Sequence, residues 1–213
     1  MGITNARRVC VALLAVVFCA SLCLAGPSKS VRPSRDSWQQ PDRVVGDLNI
    51  QTGTSVADIG CGRGYFTFRL AKAVGDTSKV YATEISERAL KAVADRVARD
   101  KITNVVPIRS DPTDTKLKAE SLDTAFICNV LHHVPAQARP ALVKDIAKAI
   151  KPGGAFFIVD WRVDAKVKYD LNRRIPKADL IKLAKDAGLE LDAEFFYLTH
   201  QVFLRFNKPA AKS

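Results

Sequence analysis

Apolar positions along the chain fall into three regimes. From Val9 to Ala25 they run almost unbroken. From Gly26 to Arg35 the chain is rich in Pro, Ser and basic residues, keeps no apolar period and reads as a flexible linker. From Thr54 onward, short β-branched and aromatic runs alternate with longer stretches whose apolar residues return every three or four positions. The short runs predict strands at Ser55–Ile59, Lys79–Glu84, Val105–Arg109, Leu122–Cys128 and Ala155–Asp160. The longer ones predict helices near Tyr65–Val74, Glu87–Arg99 and Ala136–Ile150, the second capped by Ser86. Lys151-Pro152-Gly153-Gly154 reads as the stop of the third helix, with glycine as the left-handed cap and proline unable to continue. A further helix follows Pro176 to Ala187 and is stopped by Gly188. Two apolar runs, Leu189–Leu198 and Gln201–Phe206, then form an expected hairpin around Thr199-His200. Such alternation is the signature of a parallel sheet with crossover helices. Trp38, Pro41, Val44, Val45 and Leu48 predict a short helical lead-in, placed to act as a lid.

The first regime changes the picture of where the protein resides. Arg7 and Arg8 precede the apolar run, no acid occurs before Asp36, and Cys23-Leu24-Ala25 followed by Gly26 has the form of a processing site. The run is slightly short for a span of roughly 20 residues. A cleaved export signal and a retained membrane anchor both stay open, so the chain is expected to be exported (periplasmic or secreted) or membrane-anchored. Residues 1–25 are then a signal peptide or anchor, 26–37 a linker, 38–207 one globular domain and 208–213 a tail. Cys10, Cys19 and Cys23 fall in the apolar segment, which leaves Cys61 and Cys128 for the domain. Two cysteines make neither a disulfide framework nor a zinc-like pairing, and no metal cluster is evident. Should those two lie close together, a bridge becomes conceivable, but separate thiols are the expectation. The net charge of +11 permits an acidic partner. Because the basic residues are spread along helices, a solvated face is favoured and no nucleic-acid partner is expected.

Chemistry concentrates at Val56-Ala57-Asp58-Ile59-Gly60-Cys61-Gly62-Arg63-Gly64-Tyr65-Phe66, a buried strand that enters a glycine turn and then a helix. Glycines let the backbone approach a ligand, and a helix start offers amide N–H groups to an anion. No P-loop lysine follows, and Tyr65 stands where the dinucleotide fingerprint has its third glycine. Asp58 suits a ligand carrying an ammonium group better than a pyrophosphate.

These residues resemble the first motif of class I (Rossmann-like) S-adenosylmethionine-dependent methyltransferases. Further segments follow in that family's order: Glu84 ending the second strand, Ser110-Asp111 after the third, Leu122 to Val134 at the fourth, and Lys151-Pro152-Gly153-Gly154 before the fifth. The last is similar to the ubiquinone-biosynthesis-like branch. The resemblance implies a three-layer α/β/α fold with a seven-stranded, mostly parallel sheet and one antiparallel strand. It also implies S-adenosyl-L-methionine as cofactor, held by Asp58, Gly60, Cys61, Gly62, Gly64, Glu84, Asp111 and Asn129, with Glu84 at the ribose and Asp111 near the adenine.

Methyl transfer needs alignment more than side-chain chemistry, and a base only if the acceptor keeps its proton. His132, His133 and His200 are the weak candidates for that base, while Asp160-Trp161-Arg162 is placed to shape an acceptor pocket. Arg173-Arg174 reads as an exposed, solvated pair. The expected acceptor is a small molecule, since no substantial extra domain is present to grip a macromolecule. Two other readings stay open: a protein that binds S-adenosylmethionine without catalysis, and a nicotinamide-dependent oxidoreductase.

Overall fold

A computed structural model describes residues 34–167 and 171–210. The expected signal or anchor at 1–25, the linker as far as residue 33 and the end of the tail lie outside the described residues. Among the described residues, no helix is long and apolar enough to cross a membrane.

Seven strands form one sheet: β1 (Val56–Ile59), β2 (Val80–Glu84), β3 (Val105–Arg109), β4 (Leu122–Cys128), β5 (Ile150–Trp161), β6 (Glu190–Phe195) and β7 (Gln201–Asn207), in the spatial order β3-β2-β1-β4-β5-β7-β6. Neighbours from β3 to β5 pair in parallel, whereas β7 runs antiparallel to both β5 and β6. This is the expected mostly parallel sheet with one antiparallel strand.

The helices are α1 (Arg35–Gln39), α2 (Pro41–Asp47), α3 (Thr67–Val74), α4 (Glu87–Arg99), α5 (Arg139–Ala149) and α6 (Lys177–Asp186). Strand alternation sends successive side chains to opposite faces, and the core divides accordingly. Ala57, Ile59, Ala125, Ile127, Phe156 and Ile158 face α5 and α6, where Leu142, Ile146 and Leu180 meet them. Val56, Phe126, Phe157 and Val159 face the other layer, with Val44 of α2, Leu70 and Val74 of α3 and Val93 of α4. α4 matches its expected span because each signal is local: Ser86 Oγ accepts the Ala89 N–H, and Arg96 and Arg99 fill the last turn.

Three boundaries differ clearly from expectation. The Lys151–Gly154 segment is not a helix stop. Ile150 is already extended, fully buried and paired with Leu122, so β5 begins there. The glycines instead make an irregularity inside the strand, where the register of β4 shifts between Leu122 and Thr124. A Cβ on Gly154 would stand 2.9 Å from the Asp123 carbonyl oxygen. Gly153 N–H and Gly154 C=O pair with Lys208, so the segment joins the sheet rather than capping a helix. The third helix also starts later, at Arg139, behind two 3-10 turns at Leu131–His133 and Ala136–Ala138. At the other end, α1 opens at Arg35, within the stretch read as linker.

The carboxyl ends of β1, β2, β4 and β5 gather on one edge of the sheet. Because β7 is antiparallel and Gln201 pairs with Trp161, the start of β7 reaches the same edge.

Candidate functional site

Two hollows open along that edge, of about 530 and 520 Å³. Gly60, Asn129 and His133 border both.

Asp58 sits at the end of β1 on the wall of the first hollow, almost fully buried, and accepts the Thr67 hydroxyl at 2.6 Å. Burial pushes its carboxyl up to about 6; nearby Glu84 adds to the rise, and the Thr67 hydroxyl and Arg35 oppose it. Gly60 has φ +66°, and a Cβ there would fall 2.5 Å from Val130 Cγ2, so the turn requires glycine at this point. Gly62, at φ +56°, is different: a Cβ would meet no atom within 4 Å, and the backbone lies open to the first hollow. Gly64 packs behind the turn against Phe68 and borders neither hollow. The Cys61 N–H bonds to the Thr83 carbonyl, which ties the turn to β2.

Glu84 lines the second hollow. Its carboxylate accepts the N–H of Gly62 at 2.9 Å and of Ser86 at 2.8 Å, one on each oxygen. A carboxylate has about four acceptor positions, so hydroxyl donors can still be received. Beside it, Ile85 is 52% exposed and lines the same hollow. The buried Thr83 hydroxyl in the same wall has no hydrogen-bond partner among the described residues. Ser110 and Asp111 form the far rim, where Lys116 Nζ pairs with Asp111 at 2.6 Å.

Asn129 adopts φ +58° just after β4. Its carboxamide joins a closed ring of amides: Gln39 donates to Gln201 at 2.7 Å, Gln201 to Asn129 at 2.5 Å, and Asn129 to Gln39 at 3.5 Å. Gln39 lies on α1, so the ring fastens the lead-in helix to the ends of β4 and β7. Arg35 on the same helix donates to Gln39 and lies over the Tyr65 ring at 3.7 Å. Trp38 packs against Trp161, tilted by 31° with centroids 5.3 Å apart, and both line the first hollow. α1 thus borders the first hollow through Arg35 and Trp38, while the rest of the stretch expected as a lid, Gln39 to Leu48, lines neither hollow.

His132 and Asp160 form a buried pair, with Nδ1 2.6 Å from Oδ1, and Asp160 also accepts the His132 N–H. His133 is exposed and lies against the His132 ring, tilted by 44° with centroids 4.0 Å apart. His200 is not brought to either hollow; it lies in the turn before β7, where its carbonyl accepts the Arg162 N–H. Of the Asp160-Trp161-Arg162 group only Trp161 lines the first hollow; Asp160 is buried behind it against His132, and Arg162 turns away and pairs with Asp164. Arg174 is not a solvated side chain: it is buried and donates to the carbonyls of Arg162, Val163, Ala165 and Val167. Cys61 and Cys128 are separate free thiols beside the first hollow, and burial pushes both thiols up.

Arg35, Gln39, Thr67 and Gln201 are site residues that sequence reasoning missed. Thr67 alone carried a local signal, being the first residue of α3, nine residues after Asp58. The amide ring joins positions separated by as many as 162 residues, which no periodicity reveals.

Known proteins share this architecture. Residues 56–154 match the protein family described as Methyltransferase domain. Over 117 residues the chain is 31% identical to a demethylmenaquinone methyltransferase of Staphylococcus aureus, covering 55% of this chain and 46% of that protein. The chain thus spans about half the length of this curated relative. Among solved structures, a SAM-dependent methyltransferase from Aquifex aeolicus superposes with TM-score 0.76 at 20% identity, covering 83% of this chain and 94% of the other. The [4+2]-cyclase SpnF superposes with TM-score 0.70 at 17% identity, covering 84% and 85%. The chain has the class I, Rossmann-like methyltransferase fold, and its match to the methyltransferase-domain family spans residues 56–154.

Proposed function

We propose that the protein transfers a methyl group from S-adenosylmethionine to a small-molecule acceptor. The observation that carries this reading is the meeting of the two hollows at Gly60, Asn129 and His133, with a carboxylate at the end of each flanking strand. S-adenosylmethionine supplies a methyl group made electrophilic by its sulfonium sulfur. Asp58 binds the ammonium group of its amino-acid end, and the open amides around Gly62 take the carboxylate. Glu84 accepts from the ribose hydroxyls. Ile85 covers one face of the adenine, with Ser110 and Asp111 at its polar edge. The acceptor then enters the first hollow beneath Trp38 and Trp161, and the α1 lid keeps water out.

Calorimetric titration with S-adenosylmethionine, S-adenosylhomocysteine and NAD tests the reading. Binding of the two adenosyl ligands, lost in an Asp58→Ala, Glu84→Ala variant, supports it; preference for NAD rejects it. A second reading, cofactor binding without methyl transfer, draws support from the shared fold of a protein described as a cyclase. It predicts adenosyl-ligand binding but no turnover of any acceptor. We further propose that residues 1–25 direct export or anchor the chain at a membrane, and that no nucleic acid is a partner. Cell fractionation of the full chain against a form starting at Gly26 tests the first.

A further inference from the structure

Arg35 and Trp38 stand three residues apart on α1, a spacing that puts both side chains on one face of the helix. That face is turned to the first hollow, since both residues line it. Arg35 is held from two sides: its Nε donates to Gln39 Oε1 at 2.9 Å, and its guanidinium lies 3.7 Å from the centre of the Tyr65 ring. Its partners among the described residues are Gln39, the Tyr65 and Phe66 rings and the Cys128 thiol, with no carboxylate among them. A guanidinium carries several N–H donors in one plane, so Arg35 keeps donors for a ligand.

The charges around this hollow are unequal. Arg35 and Arg63 both line it, against Asp58 as the one carboxylate among the described residues that do so. Nearby carboxylates are engaged elsewhere: Asp36 with Tyr65 and Arg69, Glu84 with the amides of Gly62 and Ser86, and Asp160 with His132. With the cofactor seated as proposed above, its ammonium group matches Asp58, its carboxylate lies on the turn amides, and its sulfonium adds a positive charge. The hollow is then left with a surplus of positive charge beside an aromatic wall.

Resting on the methyl-transfer reading above, we propose that the acceptor is an aromatic carboxylate, its ring against Trp38 and its carboxylate paired with Arg35. An indole offers a planar ring a broad apolar surface, and Trp161 backs that surface with centroids 5.3 Å apart. A planar guanidinium meets a carboxylate with two parallel N–H···O bonds, which fixes direction as well as charge. Because Arg35 and Trp38 come from one helical turn, ring and charge are read at a set separation, and α1 becomes the element that selects the acceptor. An aliphatic ammonium in the same place would meet two guanidinium groups and the sulfonium, and is disfavoured by repulsion. Arg35 is a specificity residue here and takes no part in bond making.

Three probes of matched shape test this by calorimetry on the full chain saturated with S-adenosylhomocysteine: 2-naphthoate, its neutral amide 2-naphthamide, and the cationic 2-naphthylmethylamine. 2-Naphthoate should bind about tenfold or more tightly than 2-naphthamide, the margin of a charge-assisted over a neutral hydrogen bond. 2-Naphthylmethylamine should bind more weakly than either. The advantage of 2-naphthoate should shrink as salt rises from about 0.05 to about 0.5 M. Arg35→Gln should lower 2-naphthoate affinity about tenfold and 2-naphthamide affinity by no more than about twofold, with S-adenosylhomocysteine affinity kept within about threefold. Trp38→Leu should weaken both probes alike, by about 2–10-fold. Equal affinity for 2-naphthoate and 2-naphthamide in wild type, equal loss of both in Arg35→Gln, or no binding of either to the loaded protein would each overturn the proposal. An Arg35→Gln variant that loses S-adenosylhomocysteine would assign Arg35 to the cofactor's own carboxylate and overturn it as well. Failure of wild type to bind S-adenosylhomocysteine is a separate result, and it removes the cofactor reading itself.

Discussion

Asp58→Asn should make the unliganded protein more stable while removing its grip on the cofactor. The carboxyl is raised from 3.8 to about 6, with burial as the leading cause. A rise of one pH unit in the point of half-ionisation corresponds to about 1.4 kcal/mol, so holding the ionised form in the fold costs about 3 kcal/mol at neutral pH. Asparagine keeps an oxygen to accept the 2.6 Å hydrogen bond from Thr67 and carries no charge. The expected gain at pH 7.5 is therefore about 2–3 kcal/mol, or about 4–12 °C in Tm for a domain of this size. Between pH 3.8 and about 6 the folded state binds the proton that the unfolded state has released, so wild-type stability falls as pH rises through this window. The gap between variant and wild type is thus full above about pH 6 and closes as pH drops toward 4. Urea denaturation at several pH values measures it, with calorimetry showing the loss of S-adenosylmethionine binding. A variant less stable than wild type by 1 kcal/mol or more at pH 7.5 would refute the reasoning, because the carboxylate would then be a net stabiliser of the fold.

The neighbouring glycines should separate into two kinds. Gly60→Ala combines a left-handed φ with a 2.5 Å clash on Val130 and should cost about 2–4 kcal/mol in denaturant unfolding. Gly62→Ala meets no atom within 4 Å, so it should cost only about 1 kcal/mol yet weaken cofactor binding by about tenfold or more in calorimetry. Gln201→Leu leaves the Gln39 amide and the Asn129 carbonyl in the amide ring without Gln201, and thermal melting should report a loss of about 2–4 kcal/mol. Arg174→Met removes the donor to four loop carbonyls; limited proteolysis should then cut between residues 162 and 167 faster, with about 2–4 kcal/mol lost overall.

Legibility in the sequence tracked the range of the interactions. β3, β4 and α4 match their expected bounds because alternation, β-branching and the Ser86 cap act within a few residues. The glycine turn and the acids ending β1 and β2 were legible for the same reason: a strand end, a tight turn and a helix start are contiguous. The Lys151–Gly154 segment misled because its glycines suit a helix cap equally well, and the deciding partners, Leu122 and Lys208, are distant in the chain. Arg174 looked solvated because a pair of arginines ordinarily is; the carbonyls that bury it belong to an irregular loop with no pattern of its own. Asp160 was recognised as a residue near the site, but its partnership with His132 depends on β4 and β5 lying side by side. Trp38 was legible as a residue near the site, whereas Arg35 and Gln39 gained their places only through partners distant in the chain, Tyr65 and Gln201.

The placement of β7 bears on how the chain becomes folded. It is the last of the seven strands in chain order, yet it wedges between β5 and β6 rather than adding to an outer edge. Until it arrives, β5 presents an unpaired edge along the apolar run Phe156, Phe157, Ile158 and Val159. An open apolar edge of that kind is a template for pairing with other chains. The nascent polypeptide therefore cannot complete its core in step with synthesis, and a chain cut short before Gln201 should aggregate rather than form a smaller domain. The same delay would leave the polypeptide loosely folded for longer after it is made, the state in which a chain is most readily threaded through a narrow channel or handed to a chaperone.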